Sequence, residues 1–209
     1  MNPQNTIDHY LQEIASHSPT PGGGNVSAFC GTLASNLGVM VTNLTIGKKK
    51  YVSVEEEMKQ LQTELQIFAN KFTELAQADN EAFDKVMLAM KLPKETEEEK
   101  KLRADSIQIA TIRATSVPFT VIETSIGLIP FLMQVADKGN TNSLSDVGVA
   151  LLLAKTCANG AYLNVLINLS SLTDEQVRSE VEEKATHALN TINQSVDTFM
   201  EMLINRIKG

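Results

Sequence analysis

The sequence predicts an all-α fold, a single domain over residues 1–209 formed by a bundle of about six helices. Apolar residues recur at alternating steps of three and four along the chain, most clearly from Val54 to Met90. Only 11 Gly and 6 Pro occur, which is too few turn-forming residues for a fold of many short strands. We therefore expect long helices, several of them antiparallel.

The first two helices differ in character. Apolar residues at positions 7, 10, 11 and 14 predict a short amphipathic helix that ends near Ser16. Residues 18–47 contain no charged side chain, a length that would suit a membrane span. Because Asn, Ser and Thr interrupt this stretch and Ala and Gly supply small surfaces, we interpret residues 25–46 as a helix buried inside the protein or at a subunit contact.

Capping boxes at residues 53–56, 96–99 and 173–176 predict the starts of three long helices. The first of these should stop before Pro93. The second should be kinked at Pro118, and Pro130 should kink or end its continuation, with a cap at residues 138–140. A further helix should begin between Ser143 and Asp146.

Composition limits the partners and the location. There are 18 basic and 25 acidic residues, a net charge of −7, which argues against nucleic acid or an anionic membrane as the main partner. Cys30 and Cys157 form no disulfide framework, and the polar residues 1–5 do not resemble a signal peptide. These features predict a cytoplasmic protein. The three histidines fit no metal-ligand spacing, so we expect no metal site.

Asp79 and Glu123 are the candidate catalytic residues. Asp79 occupies a seam position at which the pattern of its helix requires an apolar residue, and Glu123 is the only charge between Ala114 and Ala136. Burial disfavours a charged carboxylate, so Glu123 should have a raised pKa, suited to acid/base chemistry. The alternatives are structural: Asp79 bonded to a neighbouring helix, and Glu123 paired with an arginine.

Several other residues are candidates for binding a substrate. Gly22, Gly23, Gly24 and Asn25 expose amides at a helix start, where an anion can sit. Lys48, Lys49 and Lys50 could receive a polyanionic tail, or could simply offset a helix dipole. The same dipole argument applies to Asp146 at its helix start. Asn164 and Asn168 share a helix face, on which amides either join helices or bind a ligand.

A family resemblance follows from these motifs. The segment Pro19-Thr20-Pro21-Gly22-Gly23-Gly24 and the later segment Thr45-Ile46-Gly47-Lys48-Lys49-Lys50-Tyr51 resemble the cyclodeaminase/cyclohydrolase family of folate one-carbon enzymes. Further matches occur in order between residues 19 and 175: Asp79 with Glu81-Ala82-Phe83, Leu92-Pro93-Lys94, Val117-Pro118 with Glu123, Gly139-Asn140, Ser145-Asp146-Val147, and residues 164–168.

The resemblance implies a helical homodimer whose substrate is a tetrahydrofolate. It implies one of two reactions. One closes 5-formiminotetrahydrofolate to the 5,10-methenyl form with loss of ammonia; the other hydrolyses the methenyl form to 10-formyltetrahydrofolate. Both need an acid/base pair and no cofactor, a role that Asp79 and Glu123 would take. Asp146, Asn164 and Asn168 would orient the pterin, and the glycines and lysines would hold a polyglutamate tail. The residues do not choose between the reactions, and a non-catalytic helical dimer that binds folate or a protein is the alternative.

Overall fold

The computed structural model describes residues 6–209 and confirms the all-α fold. Six α-helices occur in these residues, together with two short 3₁₀ segments, Lys49–Val54 and Thr141–Ser143. The helices are α1 (Ile7–Ile14), α2 (Gly23–Thr45), α3 (Glu55–Met90), α4 (Glu97–Lys138), α5 (Leu144–Leu169) and α6 (Glu175–Lys208). Residues 1–5, from which we predict that no signal peptide is present, lie outside the described part of the chain.

Helix α2 lies at the centre of the bundle and packs against α3, α4 and α5. Small residues make this possible: a Cβ on Gly31 would lie 2.5 Å from Phe72 Cδ1, and one on Gly38 would lie 2.8 Å from Leu132 Cδ2. The predicted buried helix is therefore confirmed in outline. It begins at Gly23, two residues earlier than expected.

The neighbours of α2 fix the directions of the helices. Near the start of α2, the side chain of Asn25 bonds to Ala76 of α3, and near its end Asn43 bonds to Gln62. Helices α2 and α3 are therefore antiparallel. Residues of α5 meet α2 in the same reversed order, because Gly23 faces Asn164 and Ser27 faces Gly160. As a result, the first turn of α2 lies at the same end of the bundle as the second half of α3 and the last turns of α5.

Only one of the three predicted capping boxes forms as expected. Thr96 and Glu99 bond reciprocally at the start of α4. The box at residues 53–56 is wrong, because residues 49–54 form a 3₁₀ segment and Val54 precedes α3 without a side-chain cap. The box at 173–176 is wrong by one residue, since the Asp174 carboxylate accepts the amides of Gln176 and Val177.

Helix α4 continues through both of its prolines. Pro118 and Pro130 lie inside the helix, which ends only at Lys138 with Gly139 as its cap. The expectation that Pro130 could end the helix is therefore wrong, whereas the cap is confirmed. Helix α5 starts at Leu144, inside the predicted interval.

Two helices, α4 and α5, contain apolar windows long enough to cross a membrane by length and composition. Less than half of each window is buried inside the protein. The exposed apolar residues of these two helices include Ile109 and Ile112 on α4 and Leu163 and Ile167 on α5. These helices thus expose apolar surface that the described chain does not cover.

Candidate active site at the start of α2

The first turn of α2 lies directly against the carboxylate of Asp79. Gly22 precedes the helix without a side-chain cap, so the first amides of α2 depend on groups from elsewhere. A Cβ on Gly24 would lie 2.2 Å from Asp79 Oδ1, which means that only glycine permits the observed approach. The structure thus brings the glycine turn and Asp79 together, although the sequence analysis assigned them to different parts of the substrate.

The environment of Asp79 makes its carboxyl group easier to protonate than that of a solvent-exposed aspartate. Burial raises the pKa of Asp79 above its ordinary value, and the backbone N–H of Asn25, which donates to the carboxylate, offsets part of that rise. Asp79 thus combines two features of an acid/base residue, partial burial and a position at the positive end of a helix. The same contact also caps α2, so Asp79 has a structural role in addition to any chemical one.

The side chain of Asn25 forms its hydrogen bonds inside the protein and does not reach solvent. It is fully buried, its Oδ1 accepts the Tyr10 hydroxyl at 2.7 Å, and its Nδ2 donates to Ala76 O at 2.7 Å. Burial raises the pKa of Tyr10 to about 12, so the hydroxyl stays a donor. Sequence reasoning placed Tyr10 only on an apolar helix face. Asn25 therefore positions the glycine turn and Asp79, with Tyr10 holding it from α1.

Asn164 is on the other side of the first turn of α2. A Cβ on Gly23 would lie 3.6 Å from Asn164 Nδ2, an ordinary contact distance. The Nδ2 of Asn164 donates to Gly160 O at 2.8 Å, and the side chain is only partly buried. Asn164 and Asp79 therefore flank the same helix start from α5 and α3, where a ligand could contact both.

Asn168 bonds within the protein. Its Nδ2 donates to Ala114 O at 2.7 Å. Pro118, four residues after Ala114, has no N–H and leaves this carbonyl without its helical partner. The predicted role of Asn168 in orienting a pterin is untested, but its side-chain amide already supplies the hydrogen bond that Pro118 removes from α4.

The structure does not place Glu123 beside Asp79. Glu123 is exposed on the outer face of α4, while its neighbours Val121 and Ile122 point into the core. The predicted burial of Glu123 is therefore wrong for the single chain. Helix α4 runs antiparallel to α3, with Lys138 beside Glu57 and Gly127 beside Phe68, so Glu123 lies level with about residue 72, roughly 10 Å along α3 from Asp79.

Asp146 and the lysines 48–50 lie at the opposite end of the bundle from Asp79. The 23 residues of α2 separate the glycines from the lysines, roughly 34 Å at 1.5 Å per residue. Asp146 is in the first turn of α5, 18 residues before Asn164 and roughly 27 Å along the helix. A polyglutamate tail that contacted both the glycines and the lysines of one protomer would therefore have to span most of the length of α2.

Three groups converge at the start of α2: the Asp79 carboxylate, the amides of the glycine turn and the Asn164 side chain. This set can exchange a proton through Asp79 and hydrogen-bond a flat heterocycle through Asn164. Among residues 6–209 there is no cluster of three or more His, Cys, Asp and Glu side chains suited to a metal ion.

Comparisons with known proteins identify the family of this chain. The formiminotransferase-cyclodeaminase family matches residues 6–187. The chain is 44% identical over 175 residues to a methenyltetrahydrofolate cyclohydrolase of Methylorubrum extorquens, and the match covers 84% of each protein. It is 33% identical to the formimidoyltransferase-cyclodeaminase of Sus scrofa over 96% of this chain but only 36% of that longer protein.

A solved structure has the same fold. The crystal structure of a formiminotetrahydrofolate cyclodeaminase from Thermotoga maritima superposes with a TM-score of 0.81 at 32% identity, covering 96% of this chain and 98% of that one. The family match, the relatives and the shared fold together span most of the chain. The chain therefore belongs to the formiminotransferase-cyclodeaminase family.

Proposed function

We propose that this protein hydrolyses 5,10-methenyltetrahydrofolate to 10-formyltetrahydrofolate. The observation that carries the choice is the 44% identity with a methenyltetrahydrofolate cyclohydrolase over 84% of both proteins. The second candidate is cyclisation of 5-formiminotetrahydrofolate with release of ammonia, which the fold shared with a cyclodeaminase favours. Both reactions act on the one-carbon unit between N5 and N10.

Asp79 is the proposed acid/base residue. In hydrolysis, water adds to the methenyl carbon and loses a proton to the Asp79 carboxylate. The bond from that carbon to N5 then breaks, and N5 receives the proton back from Asp79. The hydroxyl on the carbon releases its proton to solvent as it becomes the formyl C=O, so that the formyl group stays on N10 and one proton is released per turnover. Only a proton moves through the protein, and the step needs neither a metal nor a redox cofactor. Burial and the amide of Asn25 give Asp79 the environment for both transfers.

Asn164 is the proposed orienting residue beside this centre, and the amides of Gly23 and Gly24 bind acceptor atoms of the substrate. Glu123, the second carboxylate predicted from the sequence, is exposed on α4 and takes part only where a second copy of the chain covers it. Asp146 lies in the first turn of α5, and Asn168 donates a hydrogen bond to Ala114 O of α4. Contacts of these two residues with the substrate are secondary in this proposal.

The proposed assembly is a homodimer located in the cytoplasm. The dimer is supported by exposed apolar side chains such as Ile109 and Ile112 of α4, which a second copy would cover. The location is supported by two unpaired thiols, those of Cys30 and Cys157. Light scattering at micromolar concentration tests the dimer, and a monomer mass would contradict it.

Absorbance of the methenyl compound tests the function. Decay of supplied methenyltetrahydrofolate faster than in buffer would show the hydrolase, and its appearance from 5-formiminotetrahydrofolate would show the cyclodeaminase. The Asp79→Asn variant is the control for uncatalysed change. If neither signal exceeds that in buffer, the protein is the non-catalytic folate-binding dimer or a protein-binding module. If both proteins exceed buffer equally, the enzyme stands and the role of Asp79 fails.

A further inference from the structure

A groove runs along the outside of the contact between α2 and α5 and starts at the candidate active site. Its floor is the close contact of Ser27 and Gly160, where a Cβ on Gly160 would lie 2.2 Å from Ser27 Oγ. That contact is one helical turn from the contact of Gly23 with Asn164. A ligand bound beside Asp79 can therefore extend into the groove without leaving the protein surface.

The walls of this α2–α5 groove are mostly apolar. Val26 and Cys30 line it from α2, and Leu152 and Leu163 line it from α5. The cavity volume is about 490 Å³, within the range of pockets that bind small molecules. Leu152 and Leu163 are 48% and 66% exposed, so the chain leaves this apolar surface open. Such walls suit a flat aromatic ring.

Among the residues that the structure describes, Lys155 is the only charged one that lines the α2–α5 groove. It lies nine residues before Asn164 on α5, a separation of roughly 13 Å along the helix. Its ammonium pairs with Asp197 of α6 at the rim. An ammonium has three donors, so two remain for an anionic ligand.

We propose that the α2–α5 groove binds the p-aminobenzoylglutamate part of the folate, with the aromatic ring against Leu163 and a glutamate carboxylate on Lys155. The proposal rests on the proposed folate substrate and adds where its tail lies. The order of groups in the groove matches that of the molecule: heterocycle at Asp79 and Asn164, ring between apolar walls, carboxylate at the cation. It also assigns the first glutamate to Lys155 and not to the distant lysines 48–50.

The two thiols allow binding to be measured without turnover. Cys30 lines the groove, whereas Cys157, the only other cysteine, is fully buried. Alkylation by iodoacetamide should therefore report on Cys30 alone. We expect p-aminobenzoylglutamate to slow this alkylation several-fold in the wild-type protein and to have no such effect on Lys155→Gln.

Kinetics provide the second measurement. Lys155→Gln should raise KM for the folate substrate roughly tenfold, about the worth of one charge-assisted hydrogen bond, with kcat nearly unchanged. Lys155→Arg should retain most of the affinity. Asp197→Asn keeps Lys155 but removes its partner, so it should leave KM unchanged or lower it. Lys184→Gln, an exposed charge on α6, is the matched control and should change nothing.

Several outcomes would overturn the groove assignment. The first is an alkylation rate that is the same with and without p-aminobenzoylglutamate. The second is a KM increase in Asp197→Asn as large as that in Lys155→Gln. The third is Cys30 reactivity that depends on protein concentration, which would place a second copy in the groove. Absence of turnover is a separate result. If the protein is inactive but p-aminobenzoylglutamate still protects Cys30 through Lys155, the groove stands and the proposed reaction fails.

Discussion

Asn168 of α5 replaces the hydrogen bond that Pro118 removes from α4. Pro118 has no N–H for the carbonyl of Ala114, and Asn168 Nδ2 donates to that carbonyl at 2.7 Å. The contact joins α4 to the last turn of α5, on the side of the bundle that holds Asn164. It explains how α4 continues through a proline without an unpaired carbonyl at this position.

A double-mutant cycle tests this relationship. Asn168→Ala should lower the free energy of unfolding by about 1–3 kcal/mol, because it leaves a largely buried carbonyl without a donor. In the Pro118→Ala background the backbone N–H of residue 118 can bond to Ala114 O, so the same substitution should cost clearly less. Urea unfolding of the four proteins measures the difference. Equal costs in both backgrounds would show that Asn168 does not repair the proline.

Gly24 and Gly23 form a matched pair for testing the approach of Asp79. Gly24→Ala places a Cβ 2.2 Å from Asp79 Oδ1, so the carboxylate must move, and we expect kcat to fall by roughly two orders of magnitude, as for a displaced proton-transfer group. Gly23→Ala meets Asn164 at 3.6 Å and should keep activity within a few fold. Steady-state kinetics on both variants, with circular dichroism to confirm folding, measure this contrast. Equal losses would mean that the turn, not the position of Asp79, is what matters.

Tyr10→Phe tests whether Asn25 is a positioning residue. The variant leaves Asn25 Oδ1 buried without its hydroxyl donor and should cost about 1–3 kcal/mol in urea unfolding. Because Asn25 does not reach solvent, KM for the folate should stay within a few fold. A large rise in KM with unchanged stability would instead make Asn25 a substrate contact.

The lysines 48–50 should matter only for long anionic tails. They lie roughly 34 Å from the glycine turn along α2, so their replacement by Ala should leave KM for a monoglutamate substrate unchanged. Binding of polyglutamylated folate should weaken, and added salt should reproduce that loss by screening exposed charges. A parallel KM comparison with both substrates measures the selectivity. Equal behaviour of the two substrates would leave the lysines as helix-end charges.

Sequence reasoning was most successful where the deciding interactions are local. The Thr96 capping box and the long apolar seams depend on residues within a few positions of each other, and both form. The position of Asp79 was predictable from the seam of α3, but the glycine against which it packs comes from another helix. Asn168 could be placed on a helix face, but its partner on α4 could not be known.

The failed predictions have physical causes that differ. Glu123 follows two core residues, Val121 and Ile122, and the 100° step of a helix turns it to the outer face despite its apolar surroundings. Ser53 fails as a cap because residues 49–54 form a 3₁₀ segment, which the box spacing does not reveal.

Asp79→Asn is the most informative single change at the site. We expect kcat to fall by roughly 10² to 10⁴, the usual worth of a positioned proton-transfer group, with folate affinity kept within a few fold. Wild-type kcat/KM should rise with pH through the raised pKa of Asp79 and then level off, because hydrolysis starts from the carboxylate form.

Glu123→Gln, which alters an exposed carboxylate, should keep kcat within a few fold. A loss as large as that of Asp79→Asn would restore Glu123 as its acid/base partner.

Stability against pH provides an independent check on Asp79. A carboxyl group whose folded pKa lies above its unfolded value binds more protons in the native state, so its contribution to stability is lost as pH rises through the folded pKa. Asn cannot ionise and its amide oxygen can still accept the Asn25 N–H. Asp79→Asn should therefore raise Tm relative to the wild type more at pH 7.5 than at pH 4, as thermal unfolding at the two pH values would measure. A Tm difference that is the same at both pH values would mean that burial does not disfavour the Asp79 carboxylate, and would remove the reason for choosing it as the base.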